Sequence, residues 1–160
     1  MKDHTLVVLV RDRPGVLNRI VSMFRRRGYN IASLTVGHAE QAGISRLTLV
    51  VESADVEQVA KQLYGLVDVL KVDDVTDSAV VEREMVLVRV TAPQSSRAKL
   101  MELAESFAYR IADIDHETMM LEMTGTPGKI DSLIDGIRPF GIVEMMRTGR
   151  ITMVRGDRGN

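Results

Sequence analysis

The order in which strand-like and helical hydrophobic patterns follow one another is the feature that most constrains the fold of this chain. In the first half, these patterns alternate in the order β-α-β-β-α-β, over residues 5–10, 16–24, 30–39, 44–51, 56–63 and 67–75. The first run consists of β-branched and leucine residues without interruption, which is typical of a buried central strand. We therefore predict a small sheet with this run at its centre.

The second half of the chain repeats the same order of elements with little similarity of sequence. Its segments are predicted over residues 84–91, 93–107, 109–115, 118–124, 126–137 and 142–154, the last one bent near Gly149. The polar stretch at residues 73–84 is the predicted linker. The repeat is therefore one of topology, and we expect two domains, residues 1–76 and residues 77–160.

Capping signals mark the ends of several helices. Gly28 follows three arginines, as expected for the C-terminal cap of the first helix. Asp55 and Gln58 resemble a capping box, and Thr126-Pro127 is typical of a helix start. The predicted core face of the first helix consists of Val16, Leu17, Ile20, Val21 and Phe24.

A βαββαβ unit folds into an antiparallel four-stranded sheet with two helices on one face, because each helix must cross over the sheet. The predicted fold class is therefore α+β, with two ferredoxin-like βαββαβ domains in tandem. Residues 5–10 are apolar on both faces of the strand. This favours burial of the second sheet face, or of an edge, in an oligomer.

Composition excludes several classes of function. The chain has a net charge of -1, three Phe, three Tyr, no Trp and no aromatic residue at 44–51, which is unlike a nucleic-acid-binding surface. It has no cysteine, so disulfides, thiol catalysis and thiolate metal sites are excluded. It has neither a long apolar run nor a signal-peptide pattern, so we expect a cytoplasmic protein that does not enter membranes.

The sequence contains no pattern typical of an active site. Ser-His-Asp spacing, a phosphate-binding glycine loop and an HExxH motif are all missing. Residues 113–117 hold several possible metal ligands, but strand alternation separates them, so a solvated hairpin turn is predicted. His4 and His38 are predicted surface residues, and the glycines at 156–159 a frayed end. We expect neither a catalytic residue, nor a metal site, nor a cofactor in this chain.

One motif favours binding of a small molecule. Asp12 ends a strand, and Gly15 begins the following helix without a Cβ that would keep a ligand from the backbone. The N–H groups of Gly15, Val16 and Leu17 favour a carboxylate, and Asp12 is placed to accept from an ammonium. These groups together suit a zwitterionic amino acid. On local grounds, simple capping of the helix explains the motif equally well.

The same residues resemble a known family. Residues 12–17 resemble the ligand loop of ACT domains, the amino-acid-sensing βαββαβ modules of many biosynthetic enzymes. Residues 27–31 and 33–36 resemble the Arg-Gly-Tyr-Asn-Ile and Ser-Leu-Thr-Val segments of acetolactate synthase regulatory subunits. Residues 81–84 and 125–131 extend this resemblance into the second half. It covers essentially the whole chain.

The resemblance implies a partner and an effector. Small subunits of that family activate a separate catalytic subunit, which holds thiamine diphosphate, magnesium and FAD, and make it sensitive to valine. Their effector lies where the ACT domains of a homodimer pair. Carried over to this chain, the site residues are Asp12, Gly15, Val16 and Leu17 from one copy, with Asn30 and Ile31 from the other.

Two positions depart from the family pattern, and one alternative function remains. The family usually has Asn at the position of Asp12 and Ser at that of Asn18. The alternative is a stand-alone sensor with two ACT domains that acts on a different partner. Such a protein would share the first-half motif, but it has no reason to keep the resemblance in the second half.

Overall fold

A computed structural model describes residues 2–156. The tail beyond residue 156, where most of the predicted frayed end falls, lies outside the described residues. The chain forms two compact units, residues 2–81 with 151–156, and Glu82–Arg150.

The first unit has the predicted βαββαβ order. Its elements are β1 (Lys2–Arg11), α1 (Val16–Arg27), β2 (Asn30–His38), β3 (Ile44–Ser53), α2 (Val56–Tyr64) and β4 (Val69–Asp74). The strands form an antiparallel sheet in the order β2-β3-β1-β4. Residues 5–10 therefore lie in a central strand, and β2 is an edge strand, as the sequence predicts.

The core of the first unit lies between the two helices and one face of the sheet. Leu6 and Leu49 are partners in the register of β1 and β3, and both are fully buried. The prediction for α1 was wrong in part, because Leu17 and Val21 are 42% and 41% exposed. The buried face of α1 consists of Val16, Ile20, Met23 and Phe24. Two overlapping apolar stripes run along this helix, and the sheet buries the one that contains Met23.

The second face of this sheet is also buried at its centre. Val7 and Val50 are each 2% exposed in the single chain, and Thr5 and Thr48 are buried beside them. The apolar character of both faces of β1 therefore does not require an oligomer. Burial of this sheet face is therefore no evidence for a homodimer.

The second unit repeats the topology. Its elements are β5 (Val80–Thr91), α3 (Gln94–Phe107), β6 (Arg110–Ile114), β7 (Thr118–Gly125), α4 (Pro127–Ile137), a 3₁₀ turn (Arg138–Phe140) and β8 (Ile142–Arg147). The strand order is β6-β7-β5-β8. β9 (Ile151–Val154) belongs to the first unit and also pairs with β5, whose first two residues, Val80 and Val81, lie in that unit as well. The expected bend occurs at Gly149, which has a φ of 81°.

The segment predicted as a linker is partly a strand. β5 begins at Val80, inside residues 73–84, and the Arg155 amide donates to the Ala79 carbonyl beside it at 2.8 Å. Two consecutive valines, Val80 and Val81, suit this extended conformation. The pairing partner lies about 75 residues away, so the local composition alone did not reveal it.

The predicted caps are confirmed. The Asp55 side chain accepts from the Gln58 amide at 3.0 Å, and the Thr126 hydroxyl accepts from the Lys129 amide at 3.3 Å. Gly28 has a φ of 70°, which an L side chain rarely adopts, and its amide donates to the Arg25 carbonyl.

Tyr109 links the end of α3 to the core of the second unit. It is 5% exposed, and its hydroxyl donates to the Leu100 carbonyl. Burial raises the pKa of Tyr109 to about 12. The phenol is therefore held in its neutral form, and ionisation of this group opposes folding.

We predict that Tyr109→Phe changes the pH dependence of stability. Below pH 10 the phenol is neutral in both the folded and the unfolded state. The wild type should then be more stable than the variant by about 1 kcal/mol, because the variant lacks the hydrogen bond. As pH rises from 10 toward 12, Tyr109 ionises first in the unfolded chain. This lowers the free energy of unfolding of the wild type by about 1.4 kcal/mol at pH 11, and it does not affect the variant. Urea unfolding of both proteins at pH 9 and pH 11 measures this. An unchanged difference between them at the two pH values would contradict the assignment.

Candidate functional site

The loop between β1 and α1 is held from both sides by backbone hydrogen bonds. The Arg11 amide donates to the Asp68 carbonyl at 2.9 Å, and the Asp12 amide donates to the Gly43 carbonyl at 2.8 Å. Gly15 then starts the helix with a φ of 86°, in the left-handed region that favours glycine. A Cβ on Gly15 would have no atom within 4 Å. The space beside the helix start is therefore open.

The predicted N–H groups at this helix start are only partly available. The Val16 amide donates to the Arg13 carbonyl at 3.3 Å, so it is already occupied. The amides of Gly15 and Leu17 form no hydrogen bond within residues 2–156. Two of the three groups that the sequence assigns to a carboxylate are therefore free to donate to one.

A surface hollow of about 320 Å³ lies beside this loop, and we call it the loop hollow. It is lined by Val10, Arg11, Asp12, Arg13, Val16, Leu17, Ile20, Val36, Ser45 and Leu47. Asp12, Val16 and Leu17 are thus brought together as predicted, and Gly15 lies next to them in the chain. The floor is apolar, whereas the rim carries both signs of charge.

Asn30 and Ile31 do not reach the loop hollow of their own chain. In the register of β2 and β3 they face Glu52 and Val51, whereas Val36, which lines the hollow, faces Leu47. Six residues of a strand separate Asn30 from Val36, about 20 Å at ~3.3 Å per residue. The predicted contribution of Asn30 and Ile31 therefore requires a second copy of the chain, and it stays a prediction.

The Asp12 carboxylate is accessible from the rim. Its side chain is 48% exposed, and Oδ2 lies 3.4 Å from Nδ1 of His38 at the end of β2. His38 is 87% exposed, in agreement with the predicted surface position. The sequence did not indicate its pairing with Asp12, because Asp12 lies in the loop after β1 and His38 at the end of β2, far apart in the chain. Arg11 and Arg13 supply positive charge on the same rim.

Asp68 supports the site, although the sequence analysis did not identify it. Its side chain is 6% exposed and forms an ion pair with Arg19 of α1. Arg13 of the loop lies 3.9 Å from the other carboxylate oxygen. The available signal was an acid within the apolar run 66–70, since a buried carboxylate needs a cationic or hydrogen-bonding partner. Asp68 thus fixes the helix and the loop relative to the sheet.

Within residues 2–156, no group of three or more acidic and histidine side chains is placed to hold a metal ion. In the same part of the chain, every helix is too short or too polar to cross a membrane.

Both halves of the chain match families of known proteins. Residues 6–71 match the family described as AHAS small subunit-like ACT domain, and residues 83–156 match the family described as small subunit of acetolactate synthase. A probable acetolactate synthase small subunit from Archaeoglobus fulgidus is 48% identical over 157 residues, 97% of this chain and 98% of that protein. The acetolactate synthase small subunit of Bacillus subtilis is 42% identical over 154 residues, 94% of this chain and 90% of that protein.

A solved structure shows the same fold. The acetolactate synthase small subunit from Thermotoga maritima superposes with a TM-score of 0.90 at 35% sequence identity. The match covers 98% of this chain and 99% of that one. The two βαββαβ units predicted from the sequence are thereby confirmed.

We predict that Arg19→Met destabilises the first unit more than Asp68→Asn does. Removing Arg19 strands a buried carboxylate, at a cost of about 2–3 kcal/mol, whereas the amide that replaces Asp68 would carry no charge and could still accept from Arg19. Arg19 itself is 55% exposed, so water can solvate it when its partner is lost. Urea unfolding of the two variants measures this order. Equal losses of unfolding free energy in the two variants would show that the charge of Asp68 does not need Arg19 as a partner.

Proposed function

This chain belongs to the family of acetolactate synthase small subunits, and we propose that it is a cytoplasmic subunit that activates the catalytic subunit and confers feedback inhibition by valine in branched-chain amino acid biosynthesis. The observation that carries the valine proposal is the loop hollow. It joins the accessible Asp12 carboxylate to an apolar floor in about 320 Å³, beside a helix start where the amides of Gly15 and Leu17 have no partner in residues 2–156.

The loop hollow suits a small zwitterionic amino acid with an apolar side chain. Asp12 is placed for the ammonium, and the amides of Gly15 and Leu17, with Arg13 nearby, are placed for the carboxylate. Val36 and Leu47 then face the aliphatic side chain. A branched aliphatic group fills such a floor without leaving a polar atom unpaired.

We further propose that the hollow is completed by a homodimer that pairs through β2. β2 is an edge strand, and pairing with a twin strand satisfies its free backbone groups. If two copies of Asn30–His38 pair antiparallel around Leu34, Asn30 of one copy lies opposite His38 of the other. His38 contacts Asp12, so this geometry brings Asn30 and Ile31 to the neighbouring hollow.

The two domains are proposed to divide the work. Residues 1–76 sense the amino acid, and residues 77–160 support docking on the catalytic subunit. The corresponding loop of the second half, Ala92-Pro93-Gln94-Ser95, lacks the Asp-x-Pro-Gly pattern. The alternative of a stand-alone sensor is disfavoured, because residues 83–156 match the small-subunit family as well. Calorimetry with valine tests this division of roles, and residues 1–76 alone should still bind valine. Binding by the second half alone would reverse the two roles.

We predict that Gly15→Asp abolishes inhibition by valine and keeps activation. The new carboxylate would occupy the open space beside the helix start and repel the carboxylate of the ligand. Gly15→Asn is the matched control, because Asn tolerates the left-handed conformation and has no charge. Assays with the catalytic subunit should need at least about tenfold more valine for Gly15→Asp than for Gly15→Asn, the ratio expected for a lost charge-assisted contact. An undiminished response of Gly15→Asp would place the valine site elsewhere.

We predict that valine tightens the homodimer. A ligand that contacts both copies binds the dimer only, so valine at about 100 times its dissociation constant should stabilise the dimer by about 2.7 kcal/mol for each of its two symmetric sites. Sedimentation at low protein concentration, with and without valine, measures this. Asn30→Ala should weaken the effect, and Gln94→Ala, an exposed position in the other unit, should not. A dimer dissociation constant that valine leaves unchanged would refute the shared site.

A further inference from the structure

A second cavity, of about 700 Å³ and open on one side, lies in the first unit on the sheet face opposite the helices. We call it the sheet cavity, and its walls include Gly37, Arg46, Thr48, Thr152 and Met153. It shares only Val36 with the loop hollow, and none of the loop residues 11–17 lines it. We propose that the sheet cavity is a separate ligand site, which binds a small aliphatic monocarboxylate that has no amino group.

Arg46 supplies the positive charge. It is half-buried, and its Nη2 donates to the Thr152 carbonyl at 2.9 Å, which fixes the guanidinium at the cavity wall. None of the carboxylates in residues 2–156 forms an ion pair with it. A guanidinium has five donors, and a carboxylate matches two of them at once. Arg46 is therefore oriented, charged and available to an anion.

Thr152 supplies an unsatisfied hydroxyl. The residue is 2% exposed, and its Oγ1 is buried without a hydrogen-bond partner in the described part of the chain. A buried hydroxyl without a partner destabilises a fold, so its presence in the cavity wall calls for an explanation. Rotation about the Cα–Cβ bond of Thr152 would let this hydroxyl donate to an oxygen atom of a carboxylate bound by Arg46, whose guanidinium the Thr152 carbonyl holds.

The remaining walls determine which carboxylate fits. No Asp or Glu is among the residues that line the cavity, so an ammonium group would have no partner there. Arg46 is the one Arg or Lys among the described lining residues, and the other basic side chain, His38, faces the Asp12 carboxylate. The cavity therefore suits one negative charge, which favours a carboxylate over a doubly charged phosphate. Ile151 and Met153 are 58% and 66% exposed, and a short aliphatic chain would cover part of both.

Gly37 provides a way to fill the cavity without disturbing the fold. A Cβ on Gly37 would have no atom within 4 Å, and the backbone there is not in the left-handed region. A larger side chain therefore enters free space at the cavity wall. Gly128 has the same two properties in α4 of the other unit, so it is a matched control.

Protein-observed NMR titration of the full chain tests the proposal with four probes. The sodium salt of 3-methylbutanoate, which is valine without its amino group, should shift the signals of Thr48, Ile151 and Met153, which do not line the loop hollow, in a saturable way. The neutral 3-methylbutanamide and valine should each perturb these signals at least about tenfold more weakly. An equal concentration of sodium chloride should leave them unshifted. Equal binding of acid and amide, or stronger binding of valine at these signals, would overturn the assignment.

Variants separate the site from a general effect of the salt. Arg46→Gln should weaken binding of 3-methylbutanoate at least about tenfold, and Gly37→Leu should abolish it, whereas Arg26→Gln and Gly128→Leu should leave it unchanged. Thr152→Val should raise the urea midpoint of the free protein and still weaken binding. If Thr152→Val lowers the midpoint, the hydroxyl serves the fold, and the argument from this residue fails. These signals do not depend on the catalytic subunit, so the result is independent of the proposed regulation.

Discussion

The end of the central strand is the constraint on which the rest of the first unit depends. β1 pairs with β3 along ten residues and with β4 on its other side, so its backbone is held from both edges. At the end of the strand, the amides of Arg11 and Asp12 donate to the carbonyls of Asp68 and Gly43, which precede β4 and β3. Beyond them the chain must leave the sheet, and Gly15 allows the turn into α1. The position of the loop is thus set by the sheet and by buried Asp68, more than by the loop residues themselves.

The elements were predictable from the sequence because their signals are local. The caps at Asp55 and Thr126 involve residues three positions apart, and each was identified before the structure. The buried face of α1 was not, because Leu17 and Val21 form an apolar pair at helical spacing as good as Val16 and Ile20. Only the sheet beneath the helix decides which pair is buried.

The candidate sites also differ in whether their residues lie close together in the sequence. Asp12, Val16 and Leu17 lie within one short stretch of the chain, so a short motif was sufficient to group them. Arg46 and Thr152 are 106 positions apart, and neither lies in a recognisable pattern, so the sheet cavity became visible only with the fold. The role assigned to Asn30 and Ile31 comes from the family resemblance alone. It requires a second copy of the chain, so neither a local motif nor the fold of one chain reveals it.

The loop of the second unit shows why one half of a topological repeat is the better candidate for binding. The Ala92 amide donates to the Glu117 carbonyl at 2.7 Å, the counterpart of the bond between Asp12 and Gly43 in the first unit. In the second unit, however, the side chain of Arg97 bridges the loop and the hairpin. It donates to the carbonyls of Ala92 at 3.1 Å and His116 at 2.8 Å, and also to that of Asp115.

The Arg97 guanidinium therefore satisfies carbonyl groups at that loop, whereas the loop of the first unit carries an accessible carboxylate and two amides without a partner in residues 2–156. The loop of the second unit also starts its helix from Pro93, with a φ of -60°, and has no glycine at that point. Pro93 carries a pyrrolidine ring where Gly15 has no Cβ, so a ligand could approach the backbone less closely there. Both units have the same sheet order, so the proposed difference in binding rests on a few side chains at equivalent loops and not on the fold.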